Sequence, residues 1–135
     1  MNLAAPKVVL PDQARQAAAG FRAFLALADQ WQLAEQDQLA LLGGVGRSTF
    51  YRWKEHPPSS LDKDRMDRLS LLLGIHRNLM DLFGTAEMRT SWLHSQRPGE
   101  PFFEGRTPLR IMTEGTIADL TLVRDYLDAA IEGWA

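Results

Sequence analysis

Apolar residues recur along this chain at the spacing of helices, and strand-like alternation is sustained nowhere. From Asp12 the positions Ala14, Ala17, Ala18, Phe21, Leu25 and Ala28 fall three or four apart, which predicts an amphipathic helix to about Trp31, with Gly20 a mild weakness. AEQDQLALLGG places acids in a first turn, sets Leu39 and Leu42 three apart and stops at Gly43. RSTFYRWKEH predicts a short helix closed by Pro57-Pro58. In SSLDKDRMDRLSLLLG the serines stand as caps, Met66, Leu69, Leu72 and Leu73 form one stripe, and Gly74 is expected to end the helix. IHRNLMDLFG and TAEMRTSWLHS predict two more short helices, marked off by Gly84 and Thr85.

The longest loop, QRPGEPFFEGR, leads into a second pattern. Thr107 can cap a helix and Pro108 suits its first position, where a missing N–H costs nothing. Leu109 and Met112 then share a face. Thr116 with Asp119 resembles a capping box and introduces a last helix, whose Leu120, Val123, Leu127 and Ala130 line one side. Val8-Val9-Leu10 is too short and isolated to make a strand. The expected fold is all-α with about seven helices.

Composition narrows the setting. Within 135 residues there is room for one domain or two very small ones. Cysteine is absent, which excludes disulfides, thiol nucleophiles and cysteine metal sites. No run of about twenty apolar residues spans a membrane, and MNLAAPKVVLPDQ is a poor signal peptide, so a cytoplasmic protein is expected. The net charge is −2, but unevenly spread: residues 1–80 carry ten basic and eight acidic side chains, residues 81–135 five and nine. That asymmetry suits a front that meets an anion and a rear that meets something else, although random surface scatter fits it equally.

The first chemical signal is DQLALLGGVGRSTFYRWKEH, a short helix, a Gly-rich turn and a second helix. Phe50 and Trp53, three apart, are expected to face inward. Arg47, Ser48, Thr49, Tyr51, Arg52 and Lys54 are expected to face outward. A recognition helix needs this partition: arginine reads guanine edges, and Ser, Thr, Tyr and Lys reach phosphates. The competing reading is an ordinary helical hairpin with a polar face. The stretch resembles the helix-turn-helix of DNA-binding regulators, including an Arg-Ser-Thr-x-Tyr-Arg-Trp form found in transposase-like and antitoxin-like domains.

The rear third gives the second signal. In order come Trp92-Leu93, the Pro/Gly loop, Phe102-Phe103, Gly105-Arg106-Thr107-Pro108-Leu109, Met112, Gly115, and Val123-Arg124 with Tyr126-Leu127. This resembles the toxin-binding domain of the Xre/MbcA/ParS family of bacterial antitoxins, over about residues 85–130. The loop RPGEPFFEG departs from the family's frequent asparagine there. Residues 1–10, punctuated by Pro6 and Pro11, are expected to form a flexible tail, and a soft domain boundary falls near residues 57–60 or 84; with the resemblance, 11–84 is expected as a helix-turn-helix DNA-binding and dimerisation region and 85–135 as a small helical toxin-binding domain. The resemblance also implies an antitoxin of a type II toxin–antitoxin module. Its partner would be a toxin encoded beside it, of the NAD-degrading RES class, with the NAD site occluded. A homodimer would bind operator DNA and repress its own operon. The rival is a stand-alone regulator whose rear domain dimerises or binds a ligand.

The resemblance implies occlusion from this end; the toxin-facing residues assigned here from their own chemistry are Phe102, Phe103, Arg106, Arg124, Asp125, Asp128, Glu132, Trp134 and Ala135. The acids and the Ala135 carboxylate would meet basic groups that hold a pyrophosphate, and the Trp134 indole would fill an apolar slot. The bland reading is a solvated helix face. No enzyme, cofactor or metal is expected. His56, His76 and His94 lack metal-ligand spacing, Asp62, Asp64 and Asp67 alternate with basic residues, and no strand precedes the Gly43–Gly46 run as a nucleotide loop requires. Trp31, Trp53 and Trp92 are expected in the core.

Overall fold

A computed structural model describes residues 11–96, 100 and 102–134, with the side chain of Trp134 outside that description. The expected 1–10 tail and Ala135 also lie outside the described residues. Seven helices follow one another: α1 (Pro11–Gln30), α2 (Glu35–Leu41), α3 (Arg47–Glu55), α4 (Lys63–Leu82), α5 (Ala86–His94), α6 (Pro108–Glu114) and α7 (Ile117–Trp134). Among the described residues there is no strand, and no helix is long and apolar enough to cross a membrane.

The long helix α4 is the spine, with α1 packed on it from one side and α7 from another. α1 buries Ala17, Phe21, Phe24, Leu27 and Ala28, the three-and-four stripe that a core-facing helix requires. α4 buries Leu69, Leu72, Ile75 and Leu79, and α7 answers with Leu120, Val123 and Leu127. These residues belong to one continuous cluster that also takes in Phe50, Trp92, Phe103 and Met112.

Two expectations change here. Gly74 does not end a helix: α4 runs through it for 20 residues, and IHRNLMDL is its second half. The stripe Leu72, Ile75, Leu79 carries the helix past the glycine, and Arg124 of α7 occupies the place of the missing side chain. A Cβ at Gly74 would lie 2.4 Å from the Arg124 guanidinium. The cap of α4 is Asp62 rather than a serine, its carboxylate accepting from the Arg65 N–H over 2.8 Å.

The end of α1 is fastened to both α4 and α5. The buried Trp31 indole donates to His76 Nδ1 over 3.0 Å, His94 Nε2 lies 3.3 Å from the Trp31 carbonyl oxygen, and the Thr90 hydroxyl donates to the Gln30 carbonyl. An acceptor at Nδ1 places the His76 proton on Nε2. Burial, and then the nearby Arg89 charge, hold His76 below its ordinary pKa of 6.5.

Candidate DNA-binding face and toxin-binding corner

The turn between α2 and α3 is built by Gly43 and Gly44, with φ of +84° and +80°, conformations that side-chain-bearing residues rarely adopt. Their N–H groups bond back to the Ala40 and Leu39 carbonyls and close α2. α3 is then anchored by its inner face. Phe50 is fully buried and meets Phe21 edge-on at 5.9 Å, and Trp53 meets the same ring at 5.6 Å. The sequence placed both of these inward.

With that side fixed, Arg47, Ser48, Tyr51 and Arg52 are exposed along the other. Thr49 differs from the outward position expected of it. It is half-buried and lines a groove with Val45, Trp53, Leu61 and Arg65. Lys54 is exposed, but its ammonium leans over the rings of Phe50 and Tyr51, 4.8 and 5.7 Å from their centres. Glu35, read from the sequence only as a first-turn acid of α2, reaches this face: its Oε1 is 3.4 Å from Arg47 Nε. The neighbouring Glu35 carboxylate is also the main reason the Tyr51 phenol is held above the usual pKa of 10. Sequence alone gave no spacing rule for this contact, since it crosses the turn.

The second candidate region is the corner before α6. Phe103, Glu104, Gly105 and Arg106 form a tight turn closed by the Arg106 N–H on the Phe103 carbonyl at 2.9 Å. Glu104 and Gly105 have φ of +52° and +78°, the mirror-image turn that favours glycine. The Thr107 hydroxyl then accepts from the Arg110 N–H at 3.0 Å, and Pro108 takes the first helical position, as expected. Gly115 is different: its φ of −100° is ordinary, and its lack of a side chain makes room for Asp119, which would lie 2.4 Å from a Cβ. Asp119 accepts from the Thr116 N–H at 2.7 Å and so caps α7.

Aromatic rings tie this corner to α7. Phe102 stacks on Tyr126 at 5.6 Å, and Phe103 meets Tyr126 and Trp92 edge-on at 5.0 and 6.0 Å. The Tyr126 hydroxyl donates to Glu100. Phe103 is wholly buried, so in this state it offers no surface to a partner, and what it supplies is the position of Phe102 and of α7. Phe102 is half-buried and Arg106 exposed.

Along α7 the other expected residues separate. Arg124 lies over Gly74, and Asp128 is half-buried and accepts from Asn78 Nδ2 at 2.7 Å, so both are engaged with α4. Asp125 and Glu132 are exposed and seven apart, on one face. Trp134 ends the helix by its backbone.

Comparison with known proteins agrees with both regions. The family model of the antitoxin Xre-like helix-turn-helix domain matches residues 11–74, and that of the antitoxin Xre/MbcA/ParS C-terminal toxin-binding domain matches residues 78–133. An uncharacterized protein of Sinorhizobium fredii, y4oB, is 42% identical over 111 residues, which span 82% of this chain and 83% of that one. The chain belongs to the Xre/MbcA/ParS family of antitoxins: a helix-turn-helix domain followed by a toxin-binding domain.

Proposed function

We propose that this chain neutralises a toxin encoded beside it, an NAD-degrading enzyme of the RES class, by covering its NAD site, and that as a homodimer it represses the shared operon through α3. The observation that carries this reading is the pairing, in one small fold, of a polar helix-turn-helix face with a toxin-binding domain whose last helix presents acids outward. A pyrophosphate site is built of basic groups, and the exposed Asp125 and Glu132, with Asp128 between them, complement such a site. Trp134 and Ala135 complete the plug. The corner at Phe102 and Arg106 forms the upper part of the contact, and Phe103 and Arg124 orient it from behind.

On the DNA side, Arg47, Ser48, Tyr51 and Arg52 read or hold the duplex, with Thr49 and Lys54 at the margins. One short recognition helix covers few bases, so a dimer on a palindromic or repeated site supplies the rest. The chain works by binding, as a cytoplasmic protein, and needs no cofactor. Residues 11–84 carry the DNA and dimer contacts and residues 85–135 the toxin contact.

Co-expression with the flanking gene tests this. The two products should copurify, and this chain should abolish the toxicity of the other. A variant lacking Glu132–Ala135 should still fold and bind the promoter while failing to protect. Protection by the truncated protein at equal expression would move the inhibitory contact toward Phe102–Met112. A promoter-binding chain with a harmless neighbour would favour the stand-alone regulator.

A further inference from the structure

Glu35 stands in an unexpected place for a helix-turn-helix. It opens α2, and its carboxylate points across the turn at the first residue of α3. Arg47 Nε is 3.4 Å from Oε1, an ion-pair distance at which no hydrogen bond is made, and Oε1 is otherwise shut off from solvent. The Glu35 side chain is 33% exposed and the Arg47 side chain 71%. Tyr51, one turn further along α3, feels the same carboxylate, which raises its pKa. Of the two arginines on this face, Arg47 is therefore held by an anion, whereas Arg52 has no acidic partner among the described residues.

We infer that Glu35 restrains the recognition helix: it occupies Arg47 in the free protein, and DNA must take Arg47 from it. The inference rests on the DNA-binding reading given above. In a helix-turn-helix the first helix crosses the phosphate backbone and the start of the second meets the groove. Glu35 and Arg47 sit at those two places. An arginine that moves from a carboxylate to a phosphate exchanges one anion for another, so it adds less affinity than an unpaired arginine. The carboxylate left behind then faces phosphates of its own sign. Binding weakened in this way matches a protein of low overall charge that discriminates by Arg52 and Ser48 rather than by bulk attraction. The restraint is soft, because the pair is largely exposed.

Glu35→Gln keeps the shape and removes the charge. Its binding, and that of the parent, is measured on the duplex upstream of the gene and on a scrambled duplex of equal length, across a salt series. Glu35→Gln should bind both duplexes roughly two- to fivefold more tightly at low salt, the scale of one exposed ion pair. The gain should shrink as salt screens it and should vanish in an Arg47→Ala background. Separately, in ring-labelled protein, the Tyr51 titration midpoint should fall in Glu35→Gln. Equal or weaker binding by Glu35→Gln, with both proteins on DNA, overturns the restraint and leaves the DNA-binding reading intact; a gain that survives Arg47→Ala does the same. Failure of either protein to bind either duplex overturns both. An unmoved Tyr51 midpoint overturns the placement of the Glu35 carboxylate on this face.

Discussion

Asn78, buried in α4 at 7% exposure, donates its side-chain amide to Asp128 of α7 over 2.7 Å. Among the described residues it is the buried polar one, and its partner lies fifty residues away, so the bond fixes how α7 sits on the spine. Asp128→Ala should leave the amide without a partner and destabilise the chain by about 1–3 kcal/mol. Asp125→Ala and Glu132→Ala, both at exposed positions, should stay within about 0.5 kcal/mol of the parent. Urea denaturation orders the three variants. Lost neutralisation in the last two is then a contact effect, whereas in Asp128→Ala it is mixed with a stability effect.

The Trp31–His76 bond sets a pH dependence. Burial lowers the His76 pKa below 6.5, so the unfolded chain takes up a proton at a higher pH than the folded one. The full contribution is present above about pH 6.5 and declines as pH falls toward the folded pKa. Protonation also removes the acceptor from the Trp31 indole. His76→Gln keeps an acceptor but cannot titrate, so its stability should change less than the parent's between about pH 7 and pH 5, above the carboxylate range. An identical slope in the two proteins would place the acid sensitivity elsewhere.

At the corner, Gly105→Val should cost about 1–3 kcal/mol, because valine is forced into a left-handed conformation. Pro108→Ala should cost less than about 1 kcal/mol, since the first helical position needs no N–H and alanine gives up mainly preorganisation. Thermal melts distinguish the two. Similar losses would mean that the turn, and not the glycine within it, governs the corner.

The polar face of α3 depends on one anchor. Phe50→Ala should cost about 3–5 kcal/mol, through a cavity between α1 and α3, and promoter binding should fall with it. Arg52→Ala should leave the melt unchanged and, if the residue reads a base, weaken promoter binding by about 1–3 kcal/mol. Unchanged binding in the triple Arg47/Arg52/Lys54→Ala variant would remove α3 from the DNA contact.

Local chemistry was the readable part of this sequence. Periodicity located α1, α2, α3 and α7, and Thr107-Pro108 located the start of α6, because caps and stripes act within a turn or two of chain. Gly74 misled for a physical reason: a glycine inside a helix resembles a stop unless one knows that Arg124, fifty residues on, lies over it. Ser59 and Ser60 yielded the cap to Asp62, which has the same chemistry nearer to the helix. The inward faces of Phe50 and Trp53 followed from spacing. The turning of Thr49 into a groove, the hold of Glu35 on Arg47 and the use of Asp128 by Asn78 depend on helix packing that no local pattern encodes.

The most direct measurement is the NAD content of cells expressing the flanking gene, with and without this chain. The account predicts that NAD falls when the neighbour is expressed alone, stays at its normal level when the full chain is co-expressed, and falls again with the chain lacking Glu132–Ala135. NAD that is unchanged by the neighbour, or that collapses equally with and without the full chain, would contradict it.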